Sequence, residues 1–175
     1  MEIVTAGSER LGAVEPLFKA MHEHHRAGRP RAADVRPFRS GDDAWERRRE
    51  HYRELLGSGR GHLLLAQQGE RVIGYAVVSE VGGQATLVTG ARMAELESLS
   101  VLPGERGAGV GRALMAAAHE LVRDLGIEEL MLYVMDGNDS AIRFYERFGM
   151  RPYLHVMVGA VDNVGHAPAR DAPPH

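Results

Sequence analysis

A chain of 175 residues, 44% hydrophobic and 26% charged, has the length and make-up of one globular domain with its own core. It contains no cysteine, which excludes disulfides, thiolate zinc sites and cysteine nucleophiles. A net charge of −3 speaks against nonspecific nucleic-acid binding, and no apolar run approaches the roughly 18–20 residues of a transmembrane helix.

The opening MEIVTAGSER lacks an apolar signal core, so a cytoplasmic location is expected. Ile3 to Ala6 reads as a short first strand. Ser8 can cap a helix whose apolar positions Leu11, Val14, Leu17, Phe18 and Met21 step by three and four. That helix runs into His22, Glu23, His24 and His25. His22 and His25 could hold zinc from one face, but no third ligand stands at a convincing spacing. No metal is expected, and a solvated or substrate-side cluster fits better. From Arg26 to Arg53 the balance is basic, although Lys19 is the only lysine among 21 basic residues, so arginine is a habit of composition here. A second helix, about Asp42 to Leu56, puts Trp45, Arg49, Tyr52 and Leu56 near one stripe, with Ser40, Asp42 or Asp43 as caps. It reads either as an amphipathic helix with a solvated arginine face or as one wall of an acceptor cleft.

His62 to Gln67 and Arg71 to Val81 form a hairpin around Gln-Gly-Glu, the second strand apolar enough to be covered on both faces. Ala85 to Val88 is a short strand or an extended loop. Leu96 to Leu102 is a strand stopped by Pro103 and Gly104. From Gly109 a helix places Val110, Leu114, Ala117, Ala118, Leu121, Val122 and Leu125 at helical spacing, ending at Gly126. Glu129 to Met135 is a further strand, Asp136-Gly137-Asn138 turns into a helix through Phe148, and Tyr153 to Val161 is a last strand. Residues 1–161 are expected to form one domain. The polar, proline-rich 162–175 is expected to be a disordered tail.

Between the strand and the third helix lies Arg106-Gly107-Ala108-Gly109-Val110-Gly111-Arg112. Alternating glycines let backbone N–H groups converge, and the helix start adds its dipole and unpaired amides, which makes an anion site. No lysine follows Gly111, so this is not a P-loop. Gly107, Gly109 and Arg112 break the dinucleotide fingerprint at its third glycine. The pattern that fits is Arg-x-x-Gly-x-Gly, filled by Arg106, Gly109 and Gly111 directly after Val-Leu-Pro. It resembles the acetyl-coenzyme A loop of the GNAT-type N-acetyltransferase superfamily. DGNDSAIRFYERFGM resembles that superfamily's second hallmark, a helix of the type Asn-x-x-Ala-x-x-Phe-Tyr-Glu-x-x-Gly-Phe. Asn138, Ala141, Phe144, Tyr145, Glu146 and Gly149 match, while Met150 stands where an aromatic is commoner. The resemblance covers roughly residues 60 to 160.

It implies an α/β (α+β) single-domain fold with a central mixed, mostly antiparallel sheet of six to seven strands. About four helices flank that sheet, and a splayed strand lies beside the glycine-rich loop. It also implies acetyl-CoA as cosubstrate and a small-molecule or peptide amine as acceptor. Neither nucleic acid nor membrane is expected as a partner, and a homodimer is left open. Cofactor contacts would come from Leu99, Ser100 and Val101, from Arg106, Gly107, Ala108, Gly109, Val110, Gly111 and Arg112, and from Asn138 and Tyr145. Acyl transfer to an amine also needs a base and an acid. Glu95 and Glu97 stand two apart and share a strand face. Glu97 is the preferred general base and Glu95 the second choice, against an ion pair with an arginine. Tyr145, beside the core, is the expected general acid, against a purely structural tyrosine. A non-catalytic acetyl-CoA or CoA binding or sensing domain is the alternative. An acetyltransferase acting on a macromolecule also stays open.

Overall fold

The computed structural model describes residues 1–28, 33, 36–84 and 90–159. The expected hairpin forms as β2 (Gly61–Gln68) and β3 (Arg71–Gly82), with Gly69 at φ +59° in the tight connection. β3 is the middle of a five-stranded sheet. On one side β2 pairs with β1 (Glu2–Ala6); on the other lies β4 (Arg92–Val101), and all three pairings are antiparallel. A short β5 (Leu130–Met131) adds to β4 in parallel. Because both faces of β3 are covered, Ile73, Tyr75, Ala76, Val77 and Val78 are all fully buried.

Period-two alternation sorts the strand side chains into two cores. Tyr75 and Val77, with Leu63 and Leu65, face α1 (Glu15–Ala27) and α2 (Gly41–Gly57), where Leu17, Phe18, Trp45 and Tyr52 complete the cluster. Ala76 and Val78 face α3 (Val110–Asp124), whose Val110, Leu114, Met115, Ala118 and Val122 form its buried stripe. α4 (Asp139–Glu146) packs Phe144 and Tyr145 against this second core. α3 lies so close to the sheet that a Cβ on Gly74 would come within 2.9 Å of Val110 Cγ1 and 3.0 Å of Leu114 Cδ1.

Of the three caps offered by the sequence for α2, Ser40 serves: its Oγ accepts from the Asp43 N–H at 3.2 Å, and Asp42 and Asp43 complement the helix dipole. The helix expected from Ser8 is instead a 3-10 turn, Ser8–Ala13, and α1 starts only at Glu15. Pro16 explains the break, since a proline is tolerated in the first turn of a helix and not in its interior.

The strand count is five rather than six to seven. The strand expected over Glu129 to Met135 holds its ladder only at Leu130 and Met131, because β4 and β5 part beyond the Glu95–Met131 pair. The strand expected over Tyr153 to Val161 has no partner through residue 159. Tyr153, Leu154, Val156 and Met157 are exposed there, and an extended segment becomes a strand only by pairing. The segment Ala85 to Val88 and the tail from Asp162 lie outside the described residues. Among the described residues no helix is long and apolar enough to cross a membrane.

Candidate functional site

The glycine-rich loop folds as its composition requires. Gly107 and Gly109 both sit at φ +84°, a left-handed conformation that side chains resist. Gly109 is the N-cap of α3, and its carbonyl accepts the Ala113 N–H at 3.0 Å. The amides of Val110, Gly111 and Arg112 are therefore ones the helix cannot use itself, and no acidic side chain occupies the first turn. The Val110 side chain is buried in the core, so only its backbone faces the loop, whereas Ala108 and Arg112 are exposed. Gly111 already lies in regular helix. A methyl there would meet the Phe144 ring at 3.6 Å and Val101 at 3.7 Å, ordinary contacts. The Arg106 side chain turns back toward the strand, its Nε donating to the Val101 carbonyl at 3.4 Å.

β4 is splayed from its neighbour, as expected. From Leu96 to Val101 it keeps its pairing with β3 but none with β5. The Leu102 N–H donates to Ile73 O at 3.0 Å on the β3 side. Strand alternation then turns the N–H groups of Val101 and Leu99 toward the open gap, and that of Ser100 back to β3. Of the three expected contacts on this strand, the amides of Leu99 and Val101 face the gap. The Ser100 hydroxyl is engaged elsewhere, donating to Leu17 O at 3.1 Å.

The sequence pattern Glu95-Leu96-Glu97-Ser98-Leu99-Ser100-Val101 alternates except for the doublet Glu97-Ser98. The structure resolves the doublet with a β-bulge: Val78 pairs with Leu96 and Val77 with Ser98, leaving Glu97 as the extra residue. The bulge lets Glu97 and Ser98 both face α1 and α2. Ser98 takes a 2.7 Å hydrogen bond from the buried Tyr52 hydroxyl. Glu97, its side chain 14% exposed, accepts from Ser79 Oγ at 2.9 Å through Oε1. Its Oε2 lies 3.4 Å from His51 Nε2 and 3.6 Å from an Arg48 guanidinium nitrogen. Glu95 stands beside it on the same face. Burial, and then the charge of Glu97, raise the Glu95 carboxyl above its ordinary range.

Tyr145 packs on the α3 core in a T-shaped contact with Phe144, ring centroids 5.1 Å apart. Burial pushes its phenol up to about 12, so it keeps its proton across neutral pH. Asn138 caps its own helix: Oδ1 accepts from the Ala141 N–H at 3.2 Å and from Ser140 Oγ at 2.9 Å. One open cleft of about 3910 Å³ runs past Glu95, Glu97, Leu99, Val101, Gly109, Asn138 and Tyr145. Its volume exceeds the roughly 300–1,000 Å³ of a compact ligand pocket, as a trench holding two extended ligands would.

Three contributors were absent from the sequence reading. Arg48, His51 and Ser79 surround Glu97, and two of them come from α2. The stripe through Trp45 and Tyr52 carries Arg48, not the expected Arg49, which is exposed. Position 48 is three past Trp45 and four before Tyr52, so helical spacing alone could have identified it. At the same end of the trench, His22 stacks on Phe18 and pairs with Arg39 O at 3.0 Å, while His24 and His25 line the wall. Among the described residues no group of three or more candidate ligands for a metal comes together.

A sequence profile described as the acetyltransferase (GNAT) family matches residues 19–150. A mycothiol acetyltransferase from Salinispora tropica is 31% identical over 154 residues, 83% of this chain and 44% of that protein. The chain spans less than half the length of the curated relatives it matches. Among solved structures, a tetramutant of the BH1408 protein from Bacillus halodurans superposes with a TM-score of 0.76 at 22% identity, covering 92% of this chain and 100% of that one. An aminoglycoside N-acetyltransferase in complex with CoA gives 0.68 at 20% identity, covering 91% and 93%. At such identities these structures share the fold.

Proposed function

Because this chain belongs to the GNAT acetyltransferase family, we propose that it moves an acetyl group from acetyl-CoA directly to a primary amine. One observation carries the reading. The splayed half of β4 opens beside a helix N-terminus capped by a left-handed glycine, so unpaired strand amides and unpaired helix amides line one trench. The α3 amides and Gly107 to Gly111 would hold the pyrophosphate, and the gap beside Leu99 and Val101 would take the pantetheine arm. Acetyl-CoA supplies an activated thioester carbonyl when bound. The N–H groups of Leu99 and Val101 would polarise that oxygen, Glu97 would take the proton of the incoming ammonium, and Tyr145 would protonate the departing thiolate. Asn138 supports this arrangement by fixing the start of α4 and hence Tyr145.

The acceptor enters from the α1–α2 side, where His22, His24, His25, Arg48 and His51 line the wall. Thiol release from acetyl-CoA tests the reading against a panel of spermidine, kanamycin, amino acids, an N-terminal tetrapeptide and the mycothiol-type amines suggested by the relatives' name. Turnover with at least one amine, lost in a Tyr145→Phe, Glu97→Gln double variant, is expected. Coenzyme A binding without turnover of any amine would leave a binding or sensing domain.

A further inference from the structure

We propose that His51 is the proton relay between Glu97 and solvent, an inference that rests on Glu97 being the general base. The surroundings of the carboxylate leave one exit for a proton. Oε1 is held by the hydroxyl of Ser79, itself 1% exposed, which leads into the sheet. Oε2 faces two groups on α2. Arg48 cannot give up or accept a proton at any physiological pH, whereas an imidazole accepts on one nitrogen and releases from the other. Glu95, the remaining charged neighbour on the same strand face, is an acid that the Glu97 charge and burial hold back from ionising. The His51 side chain is 47% exposed while that of Glu97 is 14% exposed, so the ring bridges the carboxylate and water.

The protons balance. The acceptor ammonium gives one to Glu97 as its nitrogen lone pair becomes free. The resulting carboxylic acid passes it from Oε2 to His51 Nε2, and the ring releases its Nδ1 proton to solvent. Glu97 returns to carboxylate, and the imidazole ends as the other neutral tautomer, which resets by exchange with water. The Nε2–Oε2 separation of 3.4 Å closes to hydrogen-bond length when a catalytic contact tightens on ligand binding.

The experiment compares the full-length parent, His51→Ala, His51→Gln and Glu97→Gln. Turnover is followed with the fastest amine of the panel, with and without free imidazole, and ring-nitrogen NMR of His51 is recorded without ligands. Replacing His51 by Ala or Gln is expected to lower kcat by about 10²-fold with coenzyme A affinity unchanged. Free imidazole should restore about tenfold to His51→Ala and nothing to Glu97→Gln. The NMR titration midpoint of His51 should fall in Glu97→Gln, because a neighbouring carboxylate favours the charged ring. Unchanged kcat in both His51 variants, or a loss that imidazole does not rescue, overturns the relay while an inactive Glu97→Gln keeps the base reading intact. Full activity in Glu97→Gln removes the base, and the relay with it.

Discussion

Replacing Tyr145 by Phe separates the burial of its ring from the chemistry of its hydroxyl. Burial holds the folded phenol at about 12, against roughly 10 in an unfolded chain. Between those values the folded protein keeps a proton that the unfolded chain releases. The contribution is complete below pH of about 10 and is lost as the pH rises through about 12. Two pKa units at roughly 1.36 kcal/mol each amount to about 3 kcal/mol. Tyr52 and Tyr75, whose phenols burial also raises, lose stability in the same range, but equally in both proteins. The difference in unfolding free energy between parent and Tyr145→Phe therefore isolates the one group. Urea denaturation at about pH 9, 10, 11 and 12 is expected to show that difference moving by up to about 3 kcal/mol against the parent. Stability curves that stay parallel would show that the phenol is no more buried in the folded chain than in the unfolded one. At neutral pH the same variant should lose about 10²–10⁴-fold in kcat with coenzyme A affinity near normal. Undiminished turnover would take the thiolate proton away from Tyr145.

Gly109→Ala forces a side chain into φ +84° and is expected to cost about 1–2 kcal/mol and to weaken coenzyme A binding in calorimetric titration. Gly111→Ala, in regular helix with room against Phe144, should leave thermal stability unchanged or raised, since alanine is favoured over glycine there by about 1 kcal/mol. Gly74→Ala should destabilise by roughly 1–3 kcal/mol in urea unfolding, because its methyl would overlap Val110 and Leu114. Ser40→Ala removes the α2 cap and should cost about 1 kcal/mol by the same measurement.

What could be read from the chain and what could not divide along physical lines. Gly107, Gly109 and Gly111 stand out because glycine at alternate positions has few uses apart from turns and close approach, and two of the three do adopt left-handed backbone. Glu95 and Glu97 were placed on one face by strand periodicity, a local property. The company Glu97 keeps is not local. His51 is 46 residues away and Ser79 is 18, and only the packing of α2 and β3 against β4 brings them together. The β-bulge left a trace in the Glu97-Ser98 doublet, yet two adjacent polar residues on a strand have several explanations until the partner strand is in view. The missing ladder beyond Met131 had no trace at all. Leu132 to Val134 read as strand, and whether such a run pairs depends on the divergence of its neighbour.

The bulge at Glu97 makes β4 a strand with two phases. Ahead of it, even-numbered residues belong to the α3 side; behind it, odd-numbered ones do, as Leu96 and Leu99 show. Removing a single residue between Glu97 and Val101 would cancel the phase change. Ser98 and Ser100 would then be driven under α3, where neither Tyr52 nor the Leu17 carbonyl can meet them. Removing two would restore the parity while shortening the reach to the loop by roughly 7 Å. The distance along the chain from carboxylate to glycine loop is thus quantised, and this stretch should be far less tolerant of length changes than of substitutions.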